Sequence, residues 1–434
     1  MPTSRTLRRR AQRQRAKAAA GSDPMAEVNG ASPSGKLLKP EPPWLILPGT
    51  IEDGNNERAT LLSITGGEAT NARAVEAAMP RDVVLGSEGG WLVTADGRGT
   101  LYMANPATGA QAEMPAIATI PFVHPGHSGN WFVIKVEPFL QFRFGGAPPP
   151  DDKTCSPIPS RTNTLTAAQM RQWFYRKVVL SASPRPENYT AMLILERPFS
   201  VPAFATAEDP SWRMAPSKDG IEDAIHHDGR FYSISYSGQI EAWNRNVETG
   251  EFTSTVVAPR LTIVDGDNNN NKLLRKYIAA LPDGRLMAVL KCTKDVIDKG
   301  DYLSRKVTRV FFKVHILDDG HNNRQWEEAR DIGDAALFVG VNASLCVSTK
   351  EHPGIRAGCV YYTDDEIGEA TVRHEHRMPC EPYGRYHPVY GKDLNEELRY
   401  LAVYSLKNGT AARITDLGER RCWPPAAWVT PAFL

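Results

Sequence analysis

The 434-residue sequence lacks the long apolar runs, paired cysteines and one-sided charge that define several protein classes. No apolar run approaches the roughly 18–20 residues of a membrane span. The six cysteines form no Cys-x-x-Cys pair. Because the chain starts without an apolar signal segment, we expect these cysteines to be reduced and the Asn342-Ala343-Ser344 sequon to be a chance match. The 51 basic and 50 acidic residues nearly cancel, so we do not expect the folded body to bind nucleic acid through its charge.

The common catalytic signatures are also missing from the sequence. It contains no Gly-x-Ser-x-Gly, P-loop, His-Glu-x-x-His or dinucleotide-binding fingerprint. We therefore predict that the protein is not an enzyme. We predict no catalytic, cofactor-binding or metal-binding residues, and no cofactor.

Two polar loops contain residue types that ligate metals. The first loop contains four of them: His374, His376, Cys380 and His387. Their spacing fits no standard zinc finger, and no second ligand pair accompanies them. The second loop begins like an EF-hand, with Asp265, Asp267 and Asn269. Its sixth position is Asn270 instead of glycine and its twelfth is Lys276 instead of glutamate, so we predict ordinary surface loops in both places.

Two further clusters carry ionisable residues at strand ends. His226-His227-Asp228 could suggest acid–base chemistry, but Asp228-Gly229 is a favoured hairpin dipeptide, so we predict a structural turn. Asp364-Asp365-Glu366 could suggest paired carboxylates. Because these residues follow a strand and precede a polar insertion, we predict a solvated acidic loop.

Short apolar strands recur along the chain with a small motif at the second strand. The motif occurs four times: Gly90–Thr94, Gly229–Ser233, Gly284–Ala288 and Ser344–Ser348. Four-strand units begin near Asp82, Val178, Ile221, Tyr277 and Leu337. The last four start roughly 45 to 60 residues apart, which is the range of kelch- or WD-type blades stretched by loop insertions. The tryptophans that recur within them are expected to pack between blades: Trp91, Trp212, Trp243 and Trp326.

This pattern predicts an all-β protein, a β-propeller of about six four-stranded blades, with seven as the other count. Trp44–Ile64 and Trp428-Val429 are candidates for a composite blade that joins the two ends. A pair of β-sandwiches is the alternative architecture. Leu165–Tyr175 is the best helix candidate, with Thr164 as its N-cap. Long insertions are expected at Phe144–Thr162, Asp265–Lys272 and Asp364–Asn395, and such loops often carry binding function.

We divide the chain into a disordered tail, residues 1–43, and a propeller domain, residues 44–434. The tail is rich in Arg, Ala, Ser, Gly and Pro and has no periodic apolar positions. Its basic run, Arg5 to Lys17, is consistent with a nuclear-localisation or weak nucleic-acid patch, an organellar presequence or a solvated tail. A start at Met25 would make the run an artefact of the gene model. We expect an intracellular protein, nuclear or cytoplasmic, with organellar targeting as the alternative.

Five segments in order resemble plant DUF295 proteins, also described as KIB1-4-type β-propeller proteins. These segments are Trp44–Pro48, Lys177–Ser181, Ile225–Tyr232, Cys359–Asp365 and Trp428–Pro431. The resemblance covers residues 44–433. It implies a propeller that often follows an F-box, which docks on a Skp1-type subunit of a ubiquitin ligase, while the propeller recruits the substrate.

This chain departs from that family pattern at its start. An F-box needs amphipathic helices, and residues 1–43 offer only Leu7, Met25, Val28, Leu37 and Leu38 as large apolar groups. We therefore predict a non-enzymatic protein-binding propeller with an unknown protein partner. Binding to a Skp1-type protein or to a membrane is not expected. The alternative is a substrate-recruiting subunit of an SCF-type ubiquitin ligase whose F-box is lost or missing from this gene model.

Overall fold

A computed structural model describes most of the chain from residue 42 to residue 430. The described ranges are 42–47, 59–65, 68–75, 82–127, 129–135, 162–199, 201–217, 219–261, 271–299, 304–318, 324–368, 370–371, 389–390, 400–415, 417, 420–421 and 423–430. The chain divides between Lys39 and Pro40 into two units, and the described residues belong to the second. The predicted tail, residues 1–43, lies outside the described residues except for its last two.

Within these ranges, six sheets of four or five strands follow one another, and we name them blade 1 to blade 6. Strands are given from the innermost outward. Blade 1 contains Ala427–Val429, Trp44–Leu47, Ala59–Thr65 and Glu68–Val75. Blade 2 contains Val83–Glu88, Trp91–Ala95, Leu101–Ala104 and Gln111–Glu113. Blade 3 contains Tyr175–Leu180, Thr190–Leu195, Ala203–Thr206 and Arg213–Met214.

The second half of the ring has longer strands and one irregular sheet. Blade 4 contains Ile221–His227, Arg230–Ser235, Ile240–Arg245 and Phe252–Ala258. Blade 5 contains Asn271–Ala280, Leu286–Lys299, Ser304–Asp318 and Gln325–Ala329. Blade 6 contains Ser344–Ser348, Ala335–Val339, Cys359–Tyr362, Ala402–Ser405 and Thr410–Ala412.

Smaller elements lie between the blades. A three-stranded sheet precedes blade 3 and contains Val123–Pro125, Trp131–Lys135 and Thr162–Thr166. A two-stranded sheet pairs Val389–Tyr390 with Arg420–Arg421. Helices between the blades include the α-helix Ala167–Trp173 and the 3₁₀ helices Ile117–Thr119 and Arg197–Phe199. Among the described residues, no helix is long and apolar enough to cross a membrane.

The innermost strands contact one another in sequence from blade 1 to blade 6. A cluster of buried apolar side chains lies at each of the six interfaces between neighbouring blades. At the interface of blades 3 and 4, for example, Phe204 stacks on Phe252 with ring centroids 4.0 Å apart, and Trp243 packs beside them. A four-stranded sheet has two faces to cover, and a closed ring covers both without leaving an outer blade exposed. The predicted six-bladed propeller is therefore confirmed.

The ring closes through Trp428, whose strand pairs with Trp44–Leu47 in blade 1, as predicted. The side chain of Asn342, at the end of blade 6, accepts a hydrogen bond from Trp428 N at 3.0 Å and donates one to Trp428 O at 2.6 Å. The Trp428 indole also donates to Val339 O. Asn342 is 2% exposed, so its sequon is a structural contact rather than a surface acceptor.

Three local predictions are corrected. Ser344–Ser348 is the innermost strand of blade 6 instead of its second strand, because Ala335–Val339 pairs with it on one side and runs parallel to Cys359–Tyr362 on the other. The sequence did not indicate the three-stranded sheet. The helix begins at Ala167 with Thr166 as its N-cap, since Leu165 and Thr166 still pair with Phe132 and Trp131.

The tryptophan prediction is confirmed for the residues that are fully buried, Trp212 and Trp243. Trp91 and Trp326 are partly buried against apolar clusters. The Trp212 indole donates to Pro115 O in blade 2, and the Trp326 indole donates to Pro259 O beside blade 4. Both outer-strand tryptophans thus connect a blade to the one before it.

Candidate functional site

Adjacent charged residues interrupt the innermost strands of three consecutive blades. They are Arg176-Lys177 in blade 3, Glu222-Asp223 in blade 4 and Arg275-Lys276 in blade 5, and all six are buried. The strand register shifts beside each pair, as in a β-bulge. A bulge breaks the strict alternation of a strand and redirects side chains, so two successive residues can both face neighbouring blades.

The charges alternate in sign from blade to blade and pair across the interfaces. Lys177 Nζ lies 2.7 Å from Asp223 Oδ1 and donates to Ser344 Oγ at 3.0 Å. Lys276 Nζ lies 2.5 Å from Glu222 Oε2, and Lys276 N donates to Glu222 Oε1. Burial lowers the pKa of Lys177, and the neighbouring Asp223 carboxylate opposes that shift. Buried ions are tolerated when paired and hydrogen-bonded in this way.

The Asp364-Asp365-Glu366 segment is not the solvated acidic loop that the sequence predicts. Asp364 is 2% exposed and Asp365 is 5% exposed. The segment follows the strand Cys359–Tyr362, and the chain then turns helical, with Ala370 N donating to Glu366 O. This turn places Asp365 and Glu366 beside blades 3 and 5. The cations that interact with them there are Arg176, Arg275 and Lys291.

Asp365 is held by three side chains of blade 5. Lys291 Nζ donates to its Oδ1 at 2.9 Å, the Tyr277 hydroxyl donates to its Oδ2, and Arg275 Nη1 lies 3.9 Å away. Burial alone would raise the pKa of Asp365, but Lys291 and Arg275 outweigh it and lower the pKa to about 2. Asp365 is therefore ionised at every physiological pH.

Glu366 behaves differently from its neighbour. Burial raises its pKa to about 7, although Arg275 and Arg176 act in the opposite direction. Asp365 and Glu196 add to the rise because they are negative. Glu366 thus changes charge near neutral pH.

Two arginines flank an aromatic ring at the same place. The guanidinium carbons of Arg176 and Arg197 lie 5.7 Å and 5.1 Å from the centroid of Tyr236. Arg176 also donates to Glu222 O and contacts Glu196 at 3.4 Å. Burial raises the pKa of Tyr236 to about 12, so its hydroxyl stays protonated. That hydroxyl is buried and has no hydrogen-bond partner within the described ranges.

These groups surround a cavity of about 560 Å³ between blades 3, 4 and 5 and the segment Asp364–Glu366, which follows the blade 6 strand Cys359–Tyr362. Its basic lining residues are Arg176, Arg197, Lys272, Lys276 and Lys291. Its acidic lining residues are Glu196, Glu222, Asp364, Asp365 and Glu366. We call this the channel cavity. Arg197 and Lys272 are exposed at its rim.

The other predicted sites are placed as follows. His226 and His227 end the strand Ile221–His227 and pair with Phe231 and Arg230. Asp228 and Gly229 form the hairpin turn, with positive φ angles of 45° and 75°, so the turn prediction is confirmed. His226 Nδ1 accepts from Ala182 N. The loop residues His374, His376, Cys380 and His387, and likewise Asp265, Asp267, Asn269 and Asn270, lie outside the described residues. Within the described ranges, no three His, Cys, Asp or Glu side chains are placed to hold a metal.

Sequence reasoning missed most of the channel cavity. The available signal was the paired charges inside apolar strands: Arg176-Lys177 before Val178-Val179-Leu180, and Arg275-Lys276 before Tyr277-Ile278. Solvent-facing charges in strands alternate with apolar residues, whereas these are adjacent. Their recurrence at one position of consecutive blades is the pattern that indicates a shared site.

Comparison with known protein families agrees with this propeller architecture. The family model of the KIB1-4 beta-propeller matches residues 61–387, about three quarters of the chain. This chain belongs to the KIB1-4 beta-propeller family. The match spans blades 2 to 5 and the part of blade 6 that contributes Asp364–Glu366, so all the charged lining residues of the channel cavity lie within the family region, and Tyr400 lies beyond it.

Relatives of this propeller occur among Arabidopsis thaliana proteins. The chain is 24% identical over 252 residues to F-box protein At2g17036, covering 56% of this chain and 54% of that protein. It is 33% identical over 94 residues to the putative F-box protein At5g60060, covering 22% of this chain and 24% of that protein. The chain thus spans about half the length of the first of these relatives, and less of the second.

Among solved structures, the chain is similar to the beta-propeller domain of Cps50 (Swd1) from Myceliophteria thermophila. The identity is 10% and the TM-score is 0.21, with 57% of this chain and 86% of that chain covered.

Proposed function

We propose that this KIB1-4 propeller is a non-enzymatic module that binds a protein partner at the face containing the channel cavity. The family membership supports a protein-interaction role, because the matched Arabidopsis relatives are F-box proteins. The family resemblance implies that the propeller is the part that recruits the substrate. The observation that carries the proposal for this chain is the closed ring of six blades, a scaffold whose inner part contains a cavity lined by charged side chains.

The rim of the channel cavity has the chemistry of a docking surface. Arg197 and Lys272 are exposed there, while the ionic groups beneath them are held in place by hydrogen bonds. Fixed charges of this kind give a partner orientation and a faster encounter more than they give raw affinity. A partner with an acidic surface segment fits the two basic rim residues.

Affinity capture with the tagged full-length chain tests this proposal. We expect the wild-type protein to recover the same partner in repeated captures at low ionic strength and less of it as salt rises, since exposed charges are screened. Repeated capture that recovers nothing above the tag-only control would contradict it.

A second candidate function is substrate recruitment to an SCF-type ubiquitin ligase. The observation that favours it is the similarity to two proteins named as F-box proteins. Co-purification of a Skp1-type protein with the full-length chain, in stoichiometric amount, is the expected result. Capture of the partner without any Skp1-type protein would support the protein-binding proposal and contradict the ligase role.

A further inference from the structure

The channel cavity has the volume of a small-molecule site. At about 560 Å³ it lies within the roughly 300–1,000 Å³ typical of ligand pockets. It is lined by structural elements from different blades, with Arg176 from blade 3, Glu222 from blade 4 and Lys291 from blade 5. Such convergence fixes the positions of several polar groups around one space.

The cations and carboxylates of the described residues that line the cavity are equal in number, five of each. Three of the cations are paired, Arg176 with Glu196, Lys276 with Glu222 and Lys291 with Asp365. Arg197 and Lys272 are exposed and form no ion pair within the described ranges, so the rim carries unpaired positive charge. Arg275 lies behind the wall, is 3% exposed and is 3.9 Å from Asp365.

The unsatisfied groups are hydrogen-bond donors. Arg275 Nε and Nη1 and the Tyr236 hydroxyl are buried without a hydrogen-bond partner within the described ranges. The guanidinium carbon of Arg197 lies 5.1 Å from the centroid of the Tyr236 ring, so the exposed cation and the buried hydroxyl belong to neighbouring side chains. Of the unsatisfied groups, the Tyr236 hydroxyl lines the cavity, whereas Arg275 lies behind its wall. A ligand with an acceptor oxygen satisfies that hydroxyl, and the exposed cations Arg197 and Lys272 favour a ligand that carries negative charge.

We propose that the channel cavity binds a small anion that carries carboxylate or phosphate groups, with Arg197 and Lys272 at the rim as direct contacts and Tyr236 on the wall as a donor. Arg275 contributes its positive charge from behind the wall. A free organic anion or an acidic side chain of a bound protein segment can supply such a group.

Glu366 couples this site to pH. The groups that face it are Arg275 of blade 5, Arg176 and Glu196 of blade 3, and Asp365 beside it. An anion in the cavity favours the protonated carboxyl, which then donates a hydrogen bond instead of repelling the ligand. Binding is therefore tighter below pH 7 than above it.

Isothermal titration of the full-length chain tests the proposal with three probes: citrate, inorganic phosphate and a hexaglutamate peptide. Sodium chloride at matched ionic strength is the blank, and magnesium chloride is the probe of opposite charge. We expect one-to-one binding of at least one anion, weakened about tenfold or more by Arg197→Gln. Arg98→Gln, an exposed arginine of blade 2 outside the cavity, should leave the affinity unchanged.

The pH dependence provides a second readout. Between pH 6 and pH 8 the affinity of the wild type should fall relative to that of Glu366→Gln, a comparison that cancels the ionisation of phosphate and citrate themselves in this range. Binding of citrate or phosphate assigns the site to a free anion, and binding of hexaglutamate alone assigns it to a protein segment. The proposal is overturned if no anion binds beyond the chloride blank, if Arg197→Gln binds as well as wild type, or if magnesium binds instead.

Discussion

One carboxylate of the propeller, that of Asp223, connects four blades. Its Oδ1 lies 2.7 Å from Nζ of Lys177 in blade 3. Its Oδ2 accepts from Ile278 N in blade 5 at 3.0 Å and from Ser344 Oγ in blade 6 at 2.6 Å. Because both oxygens have defined donors, Asp223 fixes the relative positions of inner strands that are far apart in the sequence.

Replacing the cation of this pair should destabilise the ring. Lys177→Met leaves the Asp223 carboxylate buried without its counter-ion, a change that typically costs about 3–5 kcal/mol. Urea unfolding should show a lower midpoint with an unchanged slope. Lys350→Met is the matched control, because Lys350 pairs with Asp334 at 2.9 Å on the surface, where an ion pair contributes little.

A double-mutant cycle separates the pair from its surroundings. Lys177→Met with Asp223→Asn should be less destabilised than the sum of the single variants by about 1 kcal/mol or more, since the second change removes the unpaired charge. Strictly additive effects would show that the two residues do not interact in solution.

Ring closure should depend on the amide of Asn342. Asn342→Ala leaves the buried N–H and C=O of Trp428 without partners, and each such loss costs about 1–3 kcal/mol. We expect a lower unfolding midpoint and stronger overall acrylamide quenching of the fluorescence of the nine tryptophans, one of which is Trp428. Asn246→Ala, in an exposed turn where Asn246 accepts from Glu248 N, should show neither change.

Glu366 should make the stability of the propeller pH-dependent. Burial raises its pKa from 4.5 to about 7, so the folded state resists its ionisation. The free energy of unfolding attributable to this group is highest below pH 4.5, falls as pH rises toward 7 and stays low above it. Glu366→Gln should therefore have a higher free energy of unfolding than the wild type between pH 5 and pH 8, by at most about 3 kcal/mol.

Urea midpoints across that pH range measure the difference. Glu88→Gln provides a parallel case in blade 2, because burial also raises the pKa of Glu88 to about 7. Both variants should have higher urea midpoints than the wild type in this pH range. A gap between Glu366→Gln and wild type that is constant from pH 5 to pH 8 would disprove the ionisation argument.

The helix Ala167–Trp173 is positioned against blade 6 by a glycine. A Cβ atom at Gly368 would lie 2.2 Å from Cζ3 of Trp173, so the indole occupies the space that a side chain would need. Gly368→Ala should lower stability by about 1–3 kcal/mol, because the ring has to move. Gly97→Ala, where nothing lies within 4 Å, is the control, and adding Trp173→Ala should rescue Gly368→Ala.

The sequence predicted those features of the propeller that local patterns determine. Trp44–Leu47 and Trp428-Val429 are apolar runs at the two ends of the folded body, and a closed ring requires such ends to meet. The Asp228-Gly229 turn followed from backbone preference alone. Each of these features is indicated by a short run of adjacent residues.

The site depended on long-range contacts that no local pattern reports. In the sequence, Asp365 has the surroundings of a surface acid. In the folded ring, Tyr277 and Lys291 of blade 5 donate hydrogen bonds to it. The position of Ser344–Ser348 was mistaken for the same reason, since alternation within a strand does not show which edge of a sheet it joins. Burial of charge is a property of the assembled ring.

The most direct test of the proposed binding face is partner capture by a rim-reversed protein. The double variant Arg197→Glu with Lys272→Glu changes two exposed side chains of the channel cavity rim and leaves the buried pairs intact. Arg98→Glu with Lys407→Glu makes the same charge change at exposed positions outside the cavity lining. We predict that the rim variant loses the partner that the wild type and the control variant recover in equal amounts. Equal recovery by all three proteins would contradict the account.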